Sequence, residues 1–392
     1  MGLLTVRRAR SLLVLLFAVG LLTSCGSGVL YAPAGGHATL WLQENGSAQA
    51  ESHRADGPEP PLRLLWSQSV SDPPLAGPRF AGSLLLITTK GSTIYSLDVA
   101  TGHRLGKKAN DDPLCAPTAV AGRESDLLLL SQVGKHAAIL GLDRRTGNHR
   151  WKWEASVCQP LVTRGDTLYA VVEGGQLVAI DVYNGELIWQ SDFDPAPKLL
   201  SPASVTAEKV YRADGTDIVA LQRSDGQSVW RKAVGGRVRT RLAVDGDLHQ
   251  LFAVTGNGRV LALDADAGDS LWSQTIDGLP ASALSLTDSL VVVTSSNRTV
   301  YAFHRDYGDV VWRYNTGGVL TASASSTAAT VFVGSGDGTL YALAADSGDL
   351  QWKYDLDAPA LTNIALEEDM LALTTEAGTV YLFQQDRHVY DR

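Results

Sequence analysis

The chain has 392 residues, of which 45% are hydrophobic and only 19% charged, with 38 glycines, 15 prolines and 2 methionines. It is apolar enough to build a large core, which excludes disorder as its main state, and its turn-rich, charge-poor composition excludes coiled coils and charged helix bundles in favour of β-structure. The net charge of −9 has the wrong sign for a nucleic-acid-binding surface.

The chain opens on a targeting signal. Arg7, Arg8 and Arg10 form a basic head, and residues 11–22 form an apolar run about half as long as a membrane-spanning helix needs. The run ends in Leu22, Thr23, Ser24 and Cys25, a stretch that resembles a bacterial lipobox. On that resemblance residues 1–24 are a lipoprotein signal peptide and Cys25 is lipidated, becoming the first mature residue. Removal of the three arginines takes the net charge from −9 to −12. Residues 25–61 read as the lipidated Cys and a flexible linker, because 26–61 are rich in Gly, Ala, Ser and Pro and carry no sustained period. As a random coil these residues would span about 30–36 Å.

From residue 62 a repeat of about forty residues takes over. Its cleanest copy is an apolar strand at 340–343, a turn ending in Gly348, and Trp352 four residues later. In the same way Gly147 precedes Trp151, Gly185 precedes Trp189, Gly226 precedes Trp230, Gly268 precedes Trp272, and Gly308 precedes Trp312. In the first copy Gly102 is followed by Gly106 and the Trp is missing. The strand before the turn recurs eight times, at 94–97, 139–142, 177–180, 218–221, 260–263, 300–303, 340–343 and 380–383. The last copy lacks its Trp strand, and residues 64–66, ending in Trp66, are a Trp strand without a turn. The two orphans complete each other. An all-β fold follows: residues 62–392 form a single eight-bladed β-propeller of four-stranded antiparallel blades, the last closed by the N-terminal strand. The ladder Trp66, Trp151, Trp189, Trp230, Trp272, Trp312 and Trp352 uses seven of the nine tryptophans, each able to bury a large ring and to donate its indole N–H.

Superposing the copies places Leu75, Cys115, Cys158, Leu200, Arg239, Ala281, Leu320 and Leu361 at one point, the start of each innermost strand near a mouth of the central channel. Cys115 and Cys158 therefore lie in adjacent blades at matching height. They are either a disulfide, which an exported protein permits, or two buried thiols beyond bridging distance. Arg237, Arg239 and Arg241 alternate, which puts them on one side of a strand. With Arg231 and Lys232 beside them they are either a grip for an acidic partner or a solvated face neutralised by nearby acids.

The pattern Tyr-Ala-Leu-x-x-x-x-Gly-x-x-x-Trp, as at 341–352, resembles the pyrroloquinoline-quinone-type propeller repeat over roughly residues 62–385. Some members of that family are quinoprotein alcohol dehydrogenases. Others, the BamB-like lipoproteins, carry no cofactor and scaffold the β-barrel assembly machinery of the outer membrane. Lipobox, linker, blade number and length resemble the second group. The resemblance implies a non-enzymatic, monomeric scaffold that binds protein partners in the cell envelope, held by a lipid anchor on the periplasmic face of the outer membrane, or on the outer face of the cytoplasmic membrane in a cell without one. The alternative is a sensor or adaptor binding a small ligand or peptide. BamB-like proteins contact their barrel partner partly through a Leu-x-Leu-Arg stretch. The corresponding segment here, with Lys198, Leu199 and Leu200, is shorter and has no Arg. The quinone enzymes would need a calcium or lanthanide site, and many carry adjacent cysteines, a pair this chain lacks. No cofactor, metal or catalytic residue is therefore expected. Residues 264–269 superficially resemble a calcium loop but fall on the repeat's turn, and 334–338 read as a hairpin turn rather than a phosphate cradle.

Overall fold

The computed structural model describes residues 30, 43, 45–191, 201–238, 240–281 and 283–387. They form thirty-two β-strands in eight four-stranded antiparallel sheets. The sheets follow one another around a central channel as the blades of a propeller. In blade 1 the strands run from the channel outward as Arg79–Ala81, Leu84–Thr88, Thr93–Asp98 and Arg104–Ala109. The same order repeats through blade 7, which ends in Leu350–Asp355. Blade 8 contains Ala365–Glu367, Met370–Thr374 and Thr379–Gln385, and its outer strand is Leu62–Ser69 from the other end of the described chain.

Burial follows the sequence pattern. The second and third strands of a blade are sandwiched between neighbouring blades, so Leu84–Thr88 and Leu290–Thr294 are buried at every residue and read as unbroken apolar runs. Outer strands alternate. In Ser270–Thr275 only Trp272 is buried. The core is thus a series of seams between blades. One cluster joins Val254 and Phe252 of blade 5 to Leu286, Val291 and Phe303 of blade 6 around Trp272.

The seams are keyed by the repeat itself. Gly102, Gly185, Gly226, Gly268, Gly308 and Gly348 each sit on the indole of the preceding blade, while Gly147 follows blade 1, where Gly106 replaces the Trp. Gly308 has φ +77°, and a Cβ there would stand 2.6 Å from Trp272 Cδ2, so only glycine both turns the chain and lets the ring lie flat against it. The indole N–H then crosses the seam to a backbone carbonyl. Trp66 donates to Val99 at 2.8 Å, Trp151 to Val182 at 2.7 Å, Trp189 to Arg223 at 2.9 Å, Trp230 to Ala265 at 3.0 Å, Trp272 to Arg305 at 2.7 Å and Trp312 to Ala345 at 2.7 Å. Trp352 instead packs edge-on against Phe383. At the turn, Asp264 Oδ1 accepts the N–H groups of Asp266 and Ala267, so this apparent calcium loop spends its carboxylate on its own backbone.

Two expectations need correction. The positions superposed with Cys115 lie four residues before each inner strand rather than in it, and Leu320 is out by one: it precedes Ser325–Ser326 by five residues, so Thr321 is the true equivalent. More important, the stretch from residue 45 to 61 is not a free linker. It runs across the mouth of the channel where the inner strands end. The N–H groups of Val205, Val244, Leu286 and Ser326, in blades 4 to 7, donate to the carbonyls of Ala48, Gln49, Glu51 and Ser52 at 2.8–3.0 Å. Arg54 returns a bond to the Ser326 carbonyl at 2.9 Å and places its guanidinium 3.2 Å from Glu367 of blade 8, in a buried ion pair. Upstream, the Gln43 side chain exchanges hydrogen bonds with the Thr163 backbone of blade 3. Leu30 is buried among Ala81, Leu84 and Leu114, and its carbonyl accepts from Arg144 at 2.9 Å.

Candidate functional site

The two mouths of the channel differ. The strap just described fills the mouth where the inner strands end. Its polar side chains Asn45, Ser52 and Arg54 are buried with it, and Gln49, Glu51 and His53 are half-buried. Asn45 bonds Ser52 and Ser323, and His53 Nδ1 lies 3.0 Å from Ser326 Oγ. Burial pushes the Glu51 carboxyl up to about 7, helped by Asp245 and Asp247 and opposed by Arg305 and Arg164. Burial also holds the His53 imidazole below its usual range.

The opposite mouth is ringed by the segments that lead into the inner strands. The carbonyls of Pro73, Pro113, Ser156, Arg237, Leu279, Val319 and Pro359 each accept an N–H from the second hairpin of their own blade, which makes the ring regular. On it Arg237 is exposed, and its neighbours in the next two blades, Leu279 and Val319, are 54% and 48% exposed. Such a patch, one cation beside two aliphatic side chains, is suited to a protein partner.

The residues singled out from the sequence separate on this frame. Cys115 and Cys158 are joined by a disulfide between blades 2 and 3, with Cα atoms 4.9 Å apart. Arg237 faces solvent, but Arg241 does not share its face. Arg241 is 4% exposed and donates to the Ala203 carbonyl at 3.0 Å and to the strap carbonyl of Ala48 at 2.9 Å. The alternation expected of a strand fails because the inner strand begins only at Ala243. Arg231 is held by Asp214 and Asp217, and Lys232 by Asp269, so these two cations are neutralised locally. Cys25, Lys198, Leu199, Leu200 and Arg239 lie outside the described residues. Among the described residues no group of three or more His, Cys, Asp or Glu side chains is placed to hold a metal ion.

Sequence reasoning missed a second series. The residue just after the third strand is arginine in blades 2, 4 and 6: Arg144, Arg223 and Arg305. The carbonyls of Arg223 and Arg305 receive an indole, whereas Arg144 follows blade 1, which has Gly106 in place of the Trp. Arg144 and Arg305 are 2% and 4% exposed. In blade 1 the residue is Val99, and beside it opens a cavity of about 460 Å³ between blades 8 and 1, walled in part by Leu65, Asp98, Val99, Glu367, Glu368 and Met370.

Fold and repeat define the class: an eight-bladed propeller of the pyrroloquinoline-quinone type. Within it the chain belongs to the family described as "Outer membrane protein assembly factor BamB", whose model matches residues 116–314 and 299–389. The chain is 26% identical over 215 residues to the outer membrane protein assembly factor BamB of Yersinia pestis, covering 48% of this chain and 52% of that protein. It is 28% identical over 129 residues to that of Alteromonas naphthalenivorans, covering 33% of this chain and 25% of that one. The chain thus spans from a quarter to about half the length of these curated relatives. Among solved structures, BamB from Moraxella catarrhalis superposes with a TM-score of 0.69 at 17% identity, over 82% of this chain and 99% of that one. A europium-containing methanol dehydrogenase superposes with a TM-score of 0.72 at 12% identity, over 91% and 99%. These two share the fold, and the second is an enzyme, so the fold alone does not decide function.

Proposed function

We propose that the protein is a non-enzymatic scaffold of outer-membrane β-barrel assembly, anchored by lipid at Cys25 and turned towards the periplasm. Membership of the BamB family supports the assembly role. The observation that carries the scaffold reading is the strap. The chain's own residues 45–54 fill one mouth of the channel with matched hydrogen bonds, which leaves rims rather than a bore as the available surface. The partner docks on the opposite rim, where Arg237 stands beside Leu279 and Val319. Lys198, Leu199, Leu200 and Arg239, candidates from the sequence repeat, are proposed as further contacts of that partner.

The test is affinity purification of the intact protein from membranes in mild detergent. Recovery of a β-barrel assembly complex with the native chain, and its loss with Arg237→Glu combined with Leu279→Asp, supports the reading. Recovery of no such complex would refute it. Mass spectrometry of the N-terminal peptide tests the anchor separately.

A further inference from the structure

The rim opposite the strap is not uniform in charge. Around most of the ring its leads and second hairpins carry mainly acids, such as Asp72, Asp112, Glu173, Asp337 and Glu376. In blades 5 and 6 the sign reverses. Arg237 stands on the lead into blade 5, and Arg259 opens the third strand of that blade beside its second hairpin. Arg298 sits on the second hairpin of blade 6, and Arg313 lies on the outer strand of the same blade. Among the described residues none of these four arginines makes an ion pair. Asp214 and Asp217 of blade 4 are spent on Arg231, and Asp277 is the one acid described within the sector. Cations thus outnumber acids here on a chain whose net charge is −9.

Hydrogen bonds tie these positions into one surface. Gly256 of the blade 5 hairpin donates its N–H to the Arg237 carbonyl at 2.7 Å, and Arg259 Nη1 donates to the Val234 carbonyl of the same lead at 3.2 Å. Ser296 of the blade 6 hairpin donates its N–H to the Leu279 carbonyl at 2.8 Å. On the lead that carries Val319, Thr316 donates to the Arg298 carbonyl at 2.9 Å. The Arg313 guanidinium lies 5.4 Å from the centroid of the Tyr301 ring, whose hydroxyl accepts from Asn297, the residue before Arg298. Arginines therefore flank the exposed aliphatic side chains of Leu279 and Val319.

One of the four breaks the repeat. In blades 5, 7 and 8 the last position of the second hairpin is Gly258, Gly338 and Gly378, with φ between +79° and +83°. In blade 6 it is Arg298, at φ +72°. Glycine adopts that backbone freely and a long side chain rarely does, so the turn itself gains nothing from an arginine. What Arg298 adds is an exposed charge on the rim.

We propose that this sector docks an acidic segment of a partner protein, one in which Asp or Glu is interspersed with aliphatic residues. The carboxylates meet Arg237, Arg259, Arg298 and Arg313, and the aliphatic side chains cover Leu279 and Val319. An anionic membrane surface fits less well, because a broad sheet of charge would also press on the acids of the neighbouring blades. The sector deepens the scaffold reading, on which it rests for the existence of that partner, by fixing the chemistry the partner must carry.

The probe is the capped peptide Glu-Leu-Glu-Val-Glu-Leu-Glu, titrated into the full chain and followed by the backbone NMR signals of Gly256, Gly278 and Gly317. The same peptide with Gln at every Glu is the neutral isostere. The acidic peptide should saturate and bind at least about tenfold more tightly than the neutral one, since several exposed ion pairs act together. Raising the ionic strength from about 0.1 M to about 1 M shortens the screening length from about 10 Å to about 3 Å and should remove most of that difference. Arg298→Gly installs the residue of the other hairpins and should fold, and Arg237→Gln changes an exposed side chain. Each should weaken the acidic peptide by roughly two- to fivefold, and the two together by about tenfold, with the neutral peptide unchanged. Equal affinity for the two peptides, a difference insensitive to salt, or wild-type affinity in the double variant would overturn the proposal. Phosphatidylglycerol vesicles should displace the bound peptide no better than neutral phosphatidylcholine vesicles. Stronger displacement would point to a lipid surface and would also overturn it. Recovery of a barrel-assembly complex without acidic-peptide binding overturns this site and leaves the scaffold role intact. Peptide binding without recovery of the complex supports this site and refutes that role.

Discussion

Trp66 and Leu382 lie directly opposite each other in the antiparallel pairing of Leu62–Ser69 with Thr379–Gln385, although 316 positions separate them in the chain. Through that pairing the first described strand becomes the outer edge of the last blade. The Trp66 indole then reaches forward to the Val99 carbonyl of blade 1 at 2.8 Å. One residue therefore closes blade 8 and docks it on blade 1.

The indole ladder makes a graded prediction. Trp272 is 8% exposed and fully keyed, so Trp272→Ala should cost about 3–5 kcal/mol in urea unfolding. Trp66 is only half-buried, and Trp66→Ala should cost less. An equal or larger loss at Trp66 would mean that closure carries more of the stability than the internal seams.

Gly308→Ala should destabilise by roughly 2–4 kcal/mol, from the positive φ and the clash with the Trp272 ring together. In the background of Trp272→Ala the clash is gone. The same substitution should then cost clearly less, and a double-mutant cycle measures the difference.

The Cys115–Cys158 bridge closes a loop of sequence separation 43. Chain-entropy reasoning assigns such a cross-link about 4 kcal/mol, so replacing both cysteines by serine should lower the unfolding free energy by up to that amount. Non-reducing peptide mapping should recover the linked pair. Two free thiols would contradict it.

The strap predicts a pH dependence with a definite sign. Glu51 has its carboxyl raised from 4.5 to about 7 by burial, so the folded state holds a proton that the unfolded chain releases earlier. That contribution is complete below pH 4.5 and is lost as pH rises towards 7. The groups facing Glu51 are Asp245, Asp247, Arg305 and Arg164, and His53 two residues on titrates in the opposite sense. Strap stability, read from exchange of the Leu286 amide, should fall by on the order of 1–2 kcal/mol over this range, allowing for partial exposure. Glu51→Gln should abolish most of the fall.

The blade count was legible because six copies repeat a turn glycine and an indole at fixed spacing, and because the two incomplete ends fit one another. The strap was not legible. Its bonds to blades 4 to 7 use backbone carbonyls of Ala48, Gln49, Glu51 and Ser52, which any sequence can offer, and its Gly, Ser and Pro content imitates a linker. Arg241 misled for a related reason: alternation implies a shared face only within a strand, and this arginine sits just before one. The seam arginines were visible as Asp-Arg, Gln-Arg and His-Arg steps at 143–144, 222–223 and 304–305 but carried no meaning without the geometry.

Ring closure is tested most directly by amide hydrogen exchange of residues 62–69 and 379–385 in the intact protein. Closure by pairing of these strands predicts that their ladder amides exchange together, on the slow timescale of the strands in blades 1 to 7. Rapid, loop-like exchange of residues 62–69 while 379–385 stay protected would contradict it, and with it the rigid closed ring on which the scaffold depends.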